Sequence, residues 1–206
     1  MRGCTTEAIR VGMTADFRAL LDACVLANYA VCDPFLRLAE SPRLYLPQWS
    51  ALILEEVQRT QRDRLGWPEK LVKSWQREVR KAFPDASVEG YEHLVPILTN
   101  DKKDRHVLAA AIQGSISVIV TFNLRDFPRA ALAPWKVEAV HPQDYLLTLY
   151  SMNPAVVVAK LGAIARDSGV DLQDTLIALG KSVPRFAAKI LEDMGDMDAS
   201  QGRMDP

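Results

Sequence analysis

The 206-residue chain carries 25 Lys and Arg against 26 Asp and Glu, a net charge of −1, with 49% hydrophobic and 25% charged residues. That balance describes an ordinary globular protein and excludes a broadly basic nucleic-acid coat, though not a local basic patch beside an acidic site. The length allows one full domain with a small appendage, and a core large enough to need neither disulfides nor structural metal.

The opening stretch MRGCTTEAIRVG lacks the apolar middle of a signal peptide, and residues 1–12 read as an upstream extension or flexible arm, the protein beginning at Met1 or Met13. Residues 17–21 (FRALL) form a short apolar run bounded by Asp16 and Asp22, which suits a buried strand. An apolar helical stretch follows over 24–31. Asp33-Pro34 then restarts a helix, with Asp as N-cap and Pro at the first helical position. Residues 44–46 predict a second brief strand stopped by Pro47, and Ser50 caps a helix over 51–65. Trp67-Pro68 begins another helix, with Leu71, Trp75, Val79 and Phe83 as its apolar stripe and Pro84 as its end. Residues 87–91 predict a third strand, and residues 101–113 a helix with an acidic first turn that stops at Gly114. ISVIVT (116–121) is β-branched and apolar on both faces, as a central parallel strand is. A last strand is expected over 136–140 and a helix over 142–150.

Strands alternating with helices predict an α/β domain over 13–152 with a mostly parallel sheet. Beyond it come only helices, ending near 169, over 172–181 and over 184–194. They read as a small C-terminal helical unit (153–194), followed by a disordered polar tail (195–206). No uninterrupted apolar run approaches the roughly 18 residues of a membrane span.

In an open parallel sheet, ligands bind beyond the carboxyl ends of the strands. Asp22 follows the first strand directly, and Asn123 and Asp126 follow the strand ISVIVT in the loop TFNLRDFP. Asp101 and Asp104 open a buried helix, whose N-terminus favours negative charge. Glu55 and Glu56 sit in the helix after the second strand. Singly, each is an ordinary cap or turn former. Together on one rim, their repulsion calls for a hard divalent cation with oxygen ligands, Mg²⁺ or Mn²⁺, and such a site suits phosphodiester hydrolysis. Other chemistries lack their motifs: no GxGxxG, no GxxxxGK[ST], no GxSxG. His93, His106 and His141 are scattered, and Cys4, Cys24 and Cys32 form no CxxC pair, so free thiols in a reducing cytoplasm are expected. His106 could touch phosphate, but an isolated His is more often structural. Cys24, near the site, reads as a small buried thiol and not as a nucleophile.

ALLDACVL with Asp22, ILEEV, DKKDRHVLAAAI with Asp104, and IVTFNLRDFP, in this order, resemble a PIN domain and, more narrowly, the VapC-like toxins of type II toxin–antitoxin pairs. The likeness spans 13–152. The C-terminal helical unit resembles an extension found on one subgroup of such toxins. The resemblance implies a three-layer α/β/α sandwich and a Mg²⁺- or Mn²⁺-dependent ribonuclease, a hydrolase acting on RNA. It also implies a homodimer and a cognate antitoxin that blocks the site by inserting an Arg or similar group. By position, Asp22 and Asp104 become metal-binding acids and Glu56 the helix acid. Glu55 stays open, because one residue is a 100° rotation about a helix. The family's Thr-x-Asp is here Thr121-Phe122-Asn123, so the fourth acidic position keeps an oxygen but loses its charge unless Asp126 reaches in. That motivates an alternative: a catalytically weakened PIN scaffold that binds RNA or a protein partner. Lys102, Lys103, Arg105 and Arg125 are the candidate phosphate contacts, with Arg59, Arg62 and Arg64 farther along the Glu56 helix.

Overall fold

The computed structural model describes residues 16–201, with backbone only over 197–201. The expected N-terminal arm therefore lies outside the described residues. Four strands, β1 (Arg18–Leu21), β2 (Leu46–Gln48), β3 (Val118–Val120) and β4 (Glu138–Val140), form one sheet in the order β2-β1-β3-β4, every pair parallel. Ala19, Leu20 and Leu21 of β1 are wholly buried, although successive side chains point to opposite faces. Both faces are therefore covered by helices, and the three-layer α/β/α sandwich expected from the sequence is present.

The helices are α1 (Ala23–Leu26), α2 (Tyr29–Ala39), α3 (Ala51–Asp63), α4 (Glu69–Ala82), α5 (Arg105–Gln113), α6 (Arg129–Leu132), α7 (Pro142–Met152), α8 (Pro154–Asp167), α9 (Leu172–Gly180) and α10 (Pro184–Gln201). Phe35 of α2, Tyr45 before β2 and Tyr145 of α7 meet in one aromatic knot. Phe35 and Tyr145 stack at 6.0 Å, and the Tyr45 hydroxyl donates to the Phe35 carbonyl at 2.8 Å.

Several local expectations shift for identifiable reasons. Asn28, not Asp33, caps α2, its side chain accepting from Ala30 N at 3.1 Å, and Pro34 sits inside the helix. Pro47 lies within β2 instead of ending it. Leu46 N turns inward to the Phe17 carbonyl, so by alternation the missing N–H of Pro47 falls on the outer edge, where no ladder bond is lost. The strand expected over 87–91 is reduced to a single bridge between Trp49 and Ser87. The stripe of α4 is rotated: Val72, Gln76 and Val79 are buried, while Leu71 is exposed. Gly114 ends α5 as expected, but the left-handed residue is Ser115 (φ 52°). Gly114 is needed for space, since a Cβ there would lie 2.7 Å from Ile116 Cδ1 and 3.2 Å from Val88 Cγ2.

The C-terminal helices share the sandwich's core. Val157, Leu161, Leu176, Leu179, Phe186 and Ile190 belong to the same buried cluster as the strands. Polar ties reinforce the seam: Arg37 to Asp167 at 2.6 Å, Arg185 N to Gln143 Oε1 at 2.7 Å, and the Tyr150 hydroxyl to Asp193 at 2.8 Å. Residues 195–201, where a disordered tail was expected, continue α10 as helix. Gly195 does not stop it, because glycine lowers helix propensity without blocking the backbone bond. No single helix among the described residues is long and apolar enough to cross a membrane.

Candidate functional site

The site begins where β1 ends. Asp22 leaves the strand with its N–H on the Val120 carbonyl at 3.1 Å and its own carbonyl starting α1. Its side chain is 3% exposed and makes no capping bond, so the carboxylate is left for other work. Thr121, buried at the end of the neighbouring β3, donates to Asp22 Oδ2 at 2.6 Å, and the Cys24 thiol donates to the same oxygen at 3.1 Å. Among the described residues, Oδ1 receives no hydrogen bond. Thr121 Oγ1 also accepts from Asn123 N at 3.0 Å, and Cys24 Sγ accepts from Phe122 N at 3.3 Å. Burial and the Asp22 charge push the Cys24 thiol up to about 12, so it remains protonated and donating. This agrees with the expectation that it is no nucleophile.

Asp104 occupies the cap position of α5 without a capping bond. Its carboxyl is pushed from 3.8 to about 6, first by burial and then by the negative charges of Asp22, Asp126 and Asp101, with His106 acting the other way. Acids from the end of β1, the entry to α5 and the turn after β3 therefore act on one another electrostatically. The two loops are also stitched, Asp101 N donating to the Asp126 carbonyl at 3.2 Å. α5 starts at Arg105 and not at 101, because Asp101 Oδ1 accepts from Lys103 N at 3.0 Å and holds a separate turn.

Glu55 is exposed on α3, whereas Glu56 turns inward, its Oε1 lying 3.3 Å from His106 Nε2 without the alignment of a hydrogen bond. His106 is buried beside Glu56 and is not placed to meet a phosphate. Asn123 is exposed, its backbone N–H spent on Thr121. Asp126 is half-buried, so it, and not Asn123, supplies the charge felt at Asp104 from this turn.

The basic candidates are dispersed. Lys102, Lys103 and Arg125 are exposed, and Arg125 Nε lies 3.7 Å from Asp126 Oδ1. Arg105 is half-buried, with Nε on the Asn100 carbonyl at 3.3 Å. Arg59 and Arg64 are exposed, and Arg62 pairs away from the acids with Glu69 at 3.6 Å. A cavity of about 780 Å³ beside β4, lined by Phe127, Arg129, Lys136 and Glu138 among others, contains none of the candidate acids.

A divalent cation must be tested against these donors. The set is hard oxygen, as Mg²⁺ and Mn²⁺ require, with Asp22 Oδ1 lacking a donor and Asp104 raised by burial and then by the neighbouring acids. Among the described residues, however, no three His, Cys, Asp or Glu side chains converge closely enough to hold a metal ion as they stand. The chemistry fits a cation; complete ligation requires side-chain closure, water or substrate oxygens. The Cys24 link and the Glu56–His106 contact were not assigned from sequence. Only the spacing Asp22-x-Cys24 gave a signal for the first.

Among known proteins, the chain is 39% identical over 132 residues to a Mycobacterium tuberculosis protein described as "Putative ribonuclease VapC50", the match covering 61% of this chain and 78% of that protein. No family model matches the chain, and no solved structure does.

Proposed function

The chain belongs to the VapC-like family of PIN-domain toxins, and from that premise we propose that it is a Mg²⁺- or Mn²⁺-dependent endoribonuclease, the toxin of a toxin–antitoxin pair. The observation that carries this reading is geometric: Asp22 is buried at the end of β1 with Oδ2 held by Thr121 and Cys24 and, among the described residues, Oδ1 without a donor, and the Asp101–Asp126 backbone bond ties two more acid-bearing loops together beside Asp104. Such crowding is costly unless a cation offsets it.

Asp22, Asp104, Glu56 and Asp126 are the residues assigned to hold the ion, with Asn123 as a neutral oxygen at the turn. When bound, the cation supplies Lewis acidity for phosphodiester hydrolysis and lowers the pKa of water. The chain's own part is positional. Thr121 and Cys24 both occupy Asp22 Oδ2, which reserves Oδ1 for the ion. Burial, then the neighbouring acids, raise the Asp104 carboxyl to about 6, and it would serve as an oxygen ligand in its ionised form. Glu56 is kept on the inward side of α3 beside His106. Lys102, Lys103, Arg105 and Arg125 flank the acids in sequence and are assigned to RNA phosphates, where exposed cations gain affinity by releasing counterions. The protein works in the cytoplasm as a homodimer, and its cognate antitoxin silences it by bringing positive charge to the carboxylates.

Asp22→Asn and Asp104→Asn should each abolish RNA cleavage by the purified protein while leaving its circular dichroism unchanged. Cleavage surviving in both overturns the assignment. The Asn at 123, with no ready three-ligand cluster among the described residues, favours a second reading, a PIN scaffold that binds RNA or a partner without cutting. Calorimetric titration with Mn²⁺ separates the two, because the second predicts no saturable binding that depends on Asp22.

A further inference from the structure

Two chain segments must be held together for the acids to act as one site: the end of β1 with Asp22, and residues 121–126 after β3. Backbone pairing joins them only as far as the Asp22 N–H on the Val120 carbonyl. Beyond that point the strands have ended, and side chains must carry the register. Thr121 supplies one link through its 2.6 Å bond to Asp22 Oδ2. Cys24 supplies a second by a different route, because its sulfur faces both segments: Sγ donates to Asp22 Oδ2 at 3.1 Å and accepts from Phe122 N at 3.3 Å. Sγ also lies 3.4 Å from Thr121 Oγ1. The Thr121 hydrogen and the single thiol hydrogen both go to the carboxylate, so Oγ1 and the sulfur meet in packing contact.

We propose that Cys24 is a positioning residue, its thiol linking Asp22 Oδ2 to the Phe122 backbone N–H so that the first acid and the 121–126 turn keep one arrangement for a divalent cation. The proposal rests on the ion-binding reading above. A donor to Oδ2 matters because it occupies one oxygen of the carboxylate and restricts rotation about the side-chain bond, leaving Oδ1 as the oxygen offered to an ion. An acceptor for Phe122 N–H matters because a part-buried amide without a partner favours a rearranged turn. One small side chain does both, which alanine cannot and serine can.

The test is a Mn²⁺ titration by calorimetry of full-length wild type, Cys24→Ala, Cys24→Ser and Asp22→Asn, with thermal unfolding of each ion-free protein. The expected result is about tenfold weaker Mn²⁺ binding in Cys24→Ala, in the range seen when a partner of a metal ligand is lost. Cys24→Ser should stay within about threefold of wild type, since the hydroxyl restores both bonds. Equal affinity in Cys24→Ala and wild type overturns the role of Cys24. So does equal loss in Ala and Ser, which would mean that only the volume of sulfur counts. Wild type with no Asp22-dependent binding overturns the ion site itself and this proposal with it. Should Cys24→Ala fail to fold, the S–H stretch of the ion-free protein decides. It should sit at the low frequency of a thiol bonded to a carboxylate and rise in Asp22→Asn; a stretch unaffected by Asp22→Asn overturns the link.

Discussion

Replacing Asp104 by Asn should make the ion-free protein more stable. The side chain makes no capping bond to α5, so the amide forfeits no hydrogen bond there, and it keeps the shape of the carboxylate. What it removes is a charge whose pKa is raised from 3.8 to about 6, first by burial and then by the acids around it. At about 1.4 kcal/mol per pKa unit, the upper bound on the strain is about 3 kcal/mol. Asp104 is half-buried, and solvent screening reduces the expected gain to about 1 kcal/mol. For a chain of this size that corresponds to a rise of about 2–4 °C in Tm. The sign follows from proton counts. Between pH 4 and 6 the folded carboxyl keeps a proton that the unfolded one has lost, so wild-type stability falls as pH rises through this window and stays reduced above it. The gain from Asp104→Asn is thus full at pH 7 and gone below about pH 4. Urea unfolding in chelator across pH 3.5–8 measures it, and adding Mn²⁺ should reverse the order by stabilising wild type alone. A variant less stable than wild type at pH 7 in chelator, or a gain that does not vary with pH, refutes the idea that the acids are crowded.

Two further outcomes follow from the packing. Thr121→Val preserves shape but strips Asp22 of its 2.6 Å donor and Asn123 N–H of its acceptor, and should cost about 1.5–3 kcal/mol in urea unfolding; an unchanged midpoint contradicts the role given to this hydroxyl. Phe186→Ala removes a fully buried ring that meets Tyr150 edge-on, and should cost about 3–5 kcal/mol. Because the C-terminal helices share the main core, the loss should appear in a single unfolding transition. A separate early transition of the C-terminal helices would contradict the shared core.

What the sequence disclosed follows physical lines. The strand ISVIVT and the emergence of Asp22 and Asp126 after their strands are local: apolar runs mark buried strands, and the residues after them must emerge at the sheet edge. The phase of α3 was not local. Glu55 and Glu56 are equivalent until α5 is in place, and only the approach of His106 marks the inward one. The failed strand over 87–91 has the right residues but meets only the edge at Trp49, so one bridge forms and no ladder. Pro47 misled as punctuation for a related reason. A proline ends an element only where its N–H is needed or its ring collides, and at Pro47 the missing N–H faces the outer edge of the sheet. Of the Cys24 link, only the half within Asp22-x-Cys24 shows as a spacing; the half to Phe122 N joins residues far apart in sequence, and no spacing rule anticipates it.

The central claim is that Asp22 and Asp104 serve one cation. Anomalous diffraction from crystals grown with Mn²⁺ measures this directly. A manganese peak ligated by carboxylate oxygens of both residues is the result the account requires; a well-ordered pair of carboxylates with no manganese between them, at saturating Mn²⁺, contradicts it.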